Sequence, residues 1–111
     1  MIEVVVNRNE TGLVTAFTVK GHAGYDEEGR DIICAAVSAI CYTAVGYFDT
    51  KRFDGKEPCY KERDGLMLFR IPELTKQEDL LQARGVLDAM VIGLKQVEAS
   101  YGKKYVRVRE G

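Results

Sequence analysis

The stretch "IICAAVSAICYTAVGYF", residues 32–48, carries no charged side chain over its 17 positions. It is shorter than the roughly 20 apolar residues that a bilayer-spanning helix needs, and it contains Ser38, Thr43 and Gly46. We therefore predict a buried core helix with no membrane contact. Asp31 directly precedes the stretch and is predicted to be its N-cap, because a short acidic side chain accepts hydrogen bonds from the first free N–H groups.

The predicted helix is apolar on nearly all sides, so it must pack between a sheet and a second surface. That surface is either another helix or a second copy of the chain. Upstream, residues 2–6 and 13–19 are rich in β-branched residues and flank "NRNETG", which predicts a β-hairpin. Downstream, residues 58–62 and 66–71 flank an Asp-Gly pair, which predicts a second hairpin.

A second helix is predicted from the stretch "TKQE", residues 75–78. It has the spacing of a capping box, with Thr75 as the cap and Glu78 reaching back to it. Apolar residues then recur at three- and four-residue steps as far as Gly102, and "KYVRVR" supplies a last strand. The order ββαββαβ predicts one α+β domain over residues 1–111, with an antiparallel or mixed sheet packed against two helices.

Composition narrows the function. The chain has 111 residues, 16 basic and 17 acidic side chains and a net charge of −1. This balance gives no electrostatic case for nucleic acid as a direct ligand. The N-terminus has no basic flank or cleavage site of a secretory signal. Three scattered cysteines and one histidine make a metal site improbable and predict free thiols in the reducing cytoplasm.

Candidate chemistry lies around Cys34, which would be the third residue of the predicted helix. Free N–H groups and the helix dipole at that position are expected to lower the pKa of the thiol. His22 lies at the end of a predicted strand that leads into the same loop, so it could act as a base or as an imidazolium partner. Asp31 could orient His22, cap the helix, or do both. Ser38 lies one turn after Cys34 on the same helical face and could donate to an oxyanion.

The loop between His22 and Cys34 contains glycines and acids. Gly21, Gly24 and Gly29 would let it swing as a lid over a cleft. The loop also carries three acidic side chains that would suit a basic substrate: Asp26, Glu27 and Glu28.

Plainer interpretations of the same residues remain open. A cysteine at the start of an apolar helix is usually a small buried hydrophobe, and Cys41 and Cys59 are assigned to that class. A non-catalytic module that binds a precursor peptide would use the same cleft without turnover. A redox sensor would need a resolving cysteine close to Cys34, whereas Cys41 lies roughly 10 Å away by helix rise.

The stretch "GHAGYDEEGRDIICAAVS" resembles the signature of the bacterial ribosomal-processing cysteine proteases, which are small cytoplasmic proteins. Their pattern is Gly-His-Ala, a short loop, Gly-x-Asp, two apolar residues, Cys-Ala, and a Ser four positions after the Cys. The matching positions are Gly21, His22, Ala23, Gly29, Asp31, Cys34, Ala35 and Ser38. The likeness extends to chain length, the N-terminal hairpin and the long C-terminal helix.

The resemblance implies an endopeptidase that removes an N-terminal extension from a large-subunit ribosomal protein, number twenty-seven, after an aromatic-rich motif. It further implies a homodimer with a mobile loop over the site. Cys34 would be the nucleophile and His22 the general base and acid, with Asp31 and Ser38 assisting and no metal or cofactor. Backbone N–H groups at the helix start, together with Ser38, are expected to hold the oxyanion.

Overall fold

The structure, a computed structural model, describes residues 1–27 and 31–111. In chain order its elements are β1 (Ile2–Arg8), β2 (Val14–Lys20), α1 (Ile32–Lys51), β3 (Cys59–Arg63), β4 (Leu66–Arg70), α2 (Gln77–Tyr101) and β5 (Val106–Glu110). The predicted ββαββαβ order and the α+β class are confirmed.

The strands form one five-stranded sheet in the order β3-β4-β2-β1-β5. The two hairpin pairs and the β2–β4 pair are antiparallel, whereas β5 lies parallel to β1. The sheet is therefore mixed. A parallel β5 requires a crossover from the β3–β4 hairpin, and α2 supplies it.

Helix α1 packs against both the sheet and α2, so the long helix is one of the surfaces that its apolar character required. Its core-facing residues are Ile33, Val37, Cys41, Ala44, Val45 and Phe48. By length and composition alone α1 could cross a bilayer, but these side chains belong to the folded core. On its opposite side Ile32 and Tyr42 are 53% and 45% exposed.

Two helix boundaries differ from the prediction. Helix α1 continues to Lys51 instead of ending near Phe48, and the chain then turns back so that the buried Phe53 ring lies 5.4 Å from that of Phe48. The predicted capping box at Thr75 is wrong. Helix α2 begins at Gln77, one residue later than a Thr75 cap would place it, and the residue before it is Lys76, whose ammonium group lies 2.8 Å from Asp54.

Candidate active site

Cys34 is the third residue of α1, as predicted, because Asp31 caps this helix. One carboxylate oxygen of Asp31 accepts hydrogen bonds from the backbone N–H groups of Ile33 and Cys34, both at 3.0 Å. The cap therefore fixes the first turn of the helix and the position of the cysteine within it.

The second oxygen of Asp31 accepts from the backbone N–H groups of Tyr25 at 3.0 Å and Asp26 at 3.4 Å. Burial disfavours the charged form of Asp31, but these four donors outweigh it and lower the pKa of the carboxyl group. Both oxygens thus serve the backbone. Of the alternatives that the sequence left open, capping is confirmed, and the same carboxylate also holds the loop before the helix.

The half-buried Cys34 sulfur accepts a hydrogen bond from the backbone N–H of Ala23 at 3.3 Å. Burial raises the pKa of the thiol. The Ala23 N–H opposes this effect and the Asp31 carboxylate adds to it. The expectation of a lowered thiol pKa is therefore wrong for this state of the protein. A neutral resting thiol needs a base at the moment of attack.

His22 follows β2 after Lys20 and Gly21, and its side chain is 58% exposed. Its carboxylate neighbour is Asp64, with 3.6 Å between Nε2 and Oδ1. Asp64 lies in the β3–β4 turn, together with Gly65. A Cβ atom on Gly65, whose φ is +72°, would stand 3.3 Å from His22 Nε2. The turn therefore forms one wall of the histidine site.

Gly21 has a structural reason to be glycine. Its φ is +90°, and a Cβ atom there would collide with the carbonyl oxygen of Met1. Its N–H donates to the Gly65 carbonyl at 2.9 Å, which ties the end of β2 to the β3–β4 turn. Gly24 also has a positive φ, +70°, with open space around it. Gly29 lies outside the described residues, and a lid built on the three glycines stays a prediction.

The loop before α1 rests on aromatic side chains of the C-terminal region. The ring of Tyr25 stacks edge-on against Tyr105 at 5.3 Å and Tyr101 at 6.0 Å between centroids. Together with the hydrogen bonds that the backbone N–H groups of Tyr25 and Asp26 donate to Asp31, these contacts hold residues 25 and 26 against the rest of the domain.

Two clefts meet at Cys34. One, of about 270 Å³, is walled by the β3–β4 turn, and the other, of about 300 Å³, by the loop that carries Gly24 and Asp26. Cys34, His22 and Ser38 line both clefts. The structure thus brings together the predicted nucleophile, base and hydroxyl. Asp31 lines only the second cleft.

The expected oxyanion donors at the helix start are already engaged. The N–H groups of Ile33 and Cys34 donate to the Asp31 carboxylate, and that of Ala35 donates to the Asp31 carbonyl at 3.0 Å. To hold an oxyanion they would have to exchange these acceptors for the substrate oxygen, so that role stays a prediction. The Ser38 hydroxyl is the predicted donor that stays at the junction of the clefts.

The other two cysteines differ from each other. Cys41 is 1% exposed, and burial raises its pKa to about 12, which confirms it as a buried hydrophobe. Cys59 is exposed, so its assignment to the core is wrong; it lies on β3, an edge strand whose five residues are all exposed. Within residues 1–27 and 31–111, no group of three His, Cys, Asp or Glu side chains is placed to hold a metal ion.

Sequence reasoning missed Asp64 and Gly65 because they lie more than 40 positions from His22. The Asp-Gly turn was the available signal for the hairpin, yet only the β2–β4 pairing brings that turn to the end of β2.

The proteins that this chain is similar to are cysteine proteases, which agrees with the position of Cys34 and His22 in one site. A family described as cysteine protease Prp matches residues 1–107. A ribosomal processing cysteine protease Prp of Bacillus subtilis (strain 168) is 29% identical over 103 residues, which cover 91% of this chain and 90% of that protein.

Two crystal structures of a ribosomal processing protease Prp from S. aureus cover 100% of both chains. The one with a covalently linked product peptide is 28% identical with a TM-score of 0.81. The one with a substrate peptide is 26% identical with a TM-score of 0.78. With the family matched over nearly its whole length, this chain belongs to the cysteine protease Prp family and is a cysteine protease.

Proposed function

We propose that this chain is a ribosomal-processing endopeptidase that removes the N-terminal extension of large-subunit ribosomal protein number twenty-seven, after an aromatic-rich motif. One observation carries the proposal: Cys34 stands with His22 and Ser38 where two clefts meet. An endopeptidase must hold substrate on both sides of the scissile bond. A peptide crossing this junction would place residues in each cleft and its carbonyl over the sulfur.

The first half of the reaction forms a thioester. His22 takes the thiol proton of Cys34 as the sulfur attacks the scissile carbonyl carbon, and a C–S bond forms. The negative oxygen receives a hydrogen bond from the Ser38 hydroxyl. His22 then gives the proton to the leaving amine nitrogen, the C–N bond breaks, and the mature N-terminus departs. The Ala23 N–H, which contacts the sulfur at 3.3 Å, favours the developing thiolate.

The second half releases the extension. His22 takes a proton from water, whose oxygen attacks the thioester carbon. The C–S bond breaks, and His22 returns the proton to the Cys34 sulfur. Asp64 is a positioning residue here, because its carboxylate lies 3.6 Å from His22 Nε2 and can orient the ring in both halves of the reaction.

The redox and binding-module alternatives are weaker. A redox sensor needs a thiol of low pKa, whereas burial raises that of Cys34. A non-catalytic module does not fit a chain of the cysteine protease Prp family.

We further propose that the protein is a homodimer in the cytoplasm. Its three cysteines are free, as is typical of a reducing compartment. An apolar groove of about 370 Å³ runs between α1 and α2 on the side away from the sheet. Ile92 on α2 and Ile32 on α1 are more than half exposed. Large exposed apolar side chains favour burial against a second copy.

The substrate assignment is tested with two peptides. One carries the extension and the first residues of the mature ribosomal protein, and the other has the same composition in scrambled order. Mass spectrometry should find one cut, in the first peptide only. Equal cleavage of both peptides, or of neither, would contradict the assignment.

A further inference from the structure

One face of the sheet lies opposite the helices. Buried strand residues pack with α1 and α2 in one core, and they include Val4, Phe17, Met67, Phe69 and Val106. Side chains alternate between the two faces along each strand, so the residues between these point to the opposite face. We call it the open face, and its strand residues are mostly exposed or half-buried.

The strand register places six basic side chains on the open face. They are Lys20, Lys61, Arg63, Arg70, Arg107 and Arg109, all exposed. Paired residues form rows across the sheet. One row reads Arg63, Leu66, Lys20, Glu3, Arg107, and the next reads Lys61, Leu68, Thr18, Val5, Arg109. Each row thus has a cation at both edges.

Negative charge is nearly absent from these positions. Among the strand residues that the structure describes, Glu3 is the single carboxylate on the open face, and it lies 3.4 Å from Arg109. The acids of neighbouring positions face the helices: Glu62 accepts from Tyr42 and Tyr60, and Glu110 pairs with Arg8 and Lys95. The near-zero net charge of the chain therefore hides a strongly basic face.

The spacing selects a polymeric anion. The two edges are four inter-strand steps apart, or about 19 Å, so no single phosphate or carboxylate can contact both. A groove of about 340 Å³ on one side of the face is lined by two cations, one acid and two leucines: Lys61, Arg63, Glu62, Leu66 and Leu68. Arginine, which supplies four of the six cations, matches the oxygens of phosphodiesters.

We propose that the open face binds double-helical RNA through its phosphate backbone. Single strands are held chiefly by stacking on aromatic rings, and the strand residues described here place none on this face. A membrane surface requires projecting apolar anchors, whereas Leu66 and Leu68 are half-buried in the sheet. The choice of RNA rests on the proposed function, because a ribosomal substrate is assembled on structured RNA.

This face changes one expectation from composition. The net charge argues against direct nucleic-acid binding only if basic and acidic side chains are evenly spread over the surface. The register of the sheet instead gathers basic side chains on one face. His22 lies two residues beyond Lys20, and Arg63 borders the first catalytic cleft. RNA on the open face would therefore hold the protease beside a ribosomal protein without entering the site.

The test measures binding of an RNA duplex of about 16 base pairs by fluorescence anisotropy. The variants are Arg107→Gln/Arg109→Gln and a matched control on the helices, Lys51→Gln/Lys95→Gln. We expect the open-face variant to bind about tenfold more weakly and to reduce the slope of log affinity against log salt by about two. The control should bind like the wild type, and both variants should show wild-type thermal unfolding.

Absence of salt-dependent RNA binding, or an equal loss in the control, would overturn the proposal. So would binding to phosphatidylserine vesicles in place of RNA. The Cys34→Ala variant should bind the duplex like the wild type while cutting no peptide. A wild type that cleaves the peptide without binding the duplex refutes the face alone, and a wild type that binds the duplex without cleaving the peptide refutes the proposed function alone.

Discussion

The imidazole of His22 lies beside the carboxylate of Asp64, with 3.6 Å between Nε2 and Oδ1. The signature stretch contains Asp31, three positions before Cys34, and sequence alone leaves open whether it serves the histidine or the helix. The structure gives both its oxygens to backbone N–H groups and sets Asp64 beside the imidazole. Local spacing predicted the cap, and long-range strand pairing supplied the acid.

Asp64→Asn removes the charge beside His22 and keeps the shape of the turn. We expect kcat to fall by about three- to tenfold, a modest loss because the pair is exposed to solvent. KM should stay the same, because Asp64 acts by orienting His22. Steady-state kinetics over a pH series checks this. Asp49→Asn, on the exposed end of α1, is the control, and identical profiles for both variants would exclude a positioning role.

The ionisation of Cys34 is a second test at this scale. Burial raises its pKa, so the thiolate fraction grows only as pH rises toward that value. We expect iodoacetamide to modify Cys34 with a pH midpoint above that of an unfolded peptide thiol. Peptide mapping separates it from the exposed Cys59, which serves as an internal reference. A midpoint below neutrality would instead support a resting thiolate–imidazolium pair.

At the level of elements, Asp31 joins α1 to the loop before it. Asp31→Ala would leave the N–H groups of Ile33, Cys34, Tyr25 and Asp26 without their acceptor. We expect a loss of about 2 kcal/mol in the free energy of unfolding near pH 7. Thr50→Ala, at the exposed end of the same helix, is the control.

The pH dependence of that loss has a definite sign. The folded-state pKa of Asp31 is lowered, so its contribution is fully present above the unfolded value of about 3.9 and declines as pH falls through the folded pKa. Denaturant titrations should therefore show a smaller difference between wild type and variant in acid. A difference that stays constant with pH would mean that the charge of Asp31 contributes nothing.

Elements were predictable where their signals are local. Apolar spacing, the Asp31 cap and the Asp-Gly turn are contained within a few residues, and each appears in the structure. The capping box predicted at Thr75 does not form: Lys76 precedes α2 without a side-chain cap, and its ammonium group pairs with Asp54. The assignment of Cys59 to the core is wrong because the composition of a strand does not reveal that β3 lies at the edge of the sheet.

At the scale of the whole molecule, the net charge does not describe how the charges are distributed over the surface. The net charge of −1 reflects a basic sheet face balanced by acids elsewhere, and only the register between distant strands separates them. The same holds for α1, whose composition could not distinguish a partner helix from a second copy. The structure shows the partner helix and leaves Ile32 and Tyr42 exposed on the other side.

The proposed dimer is tested at the groove between the helices. Ala89 is exposed on α2 and lines that groove, so Ala89→Glu would place a charge in the interface. We expect this variant to sediment as a monomer at concentrations where the wild type is a dimer. Ala99→Glu, the same change outside the groove on the same helix, should remain dimeric. A monomeric wild type, or a dimeric Ala89→Glu, would contradict the interface.

The most direct measurement of the central claim is cleavage of the extension peptide by three proteins, followed by mass spectrometry. The wild type and Cys59→Ala should release the same two fragments at similar rates. Cys34→Ala should release none while keeping wild-type circular dichroism. Cleavage by Cys34→Ala at the wild-type rate would show that the sulfur between the two clefts is not the nucleophile.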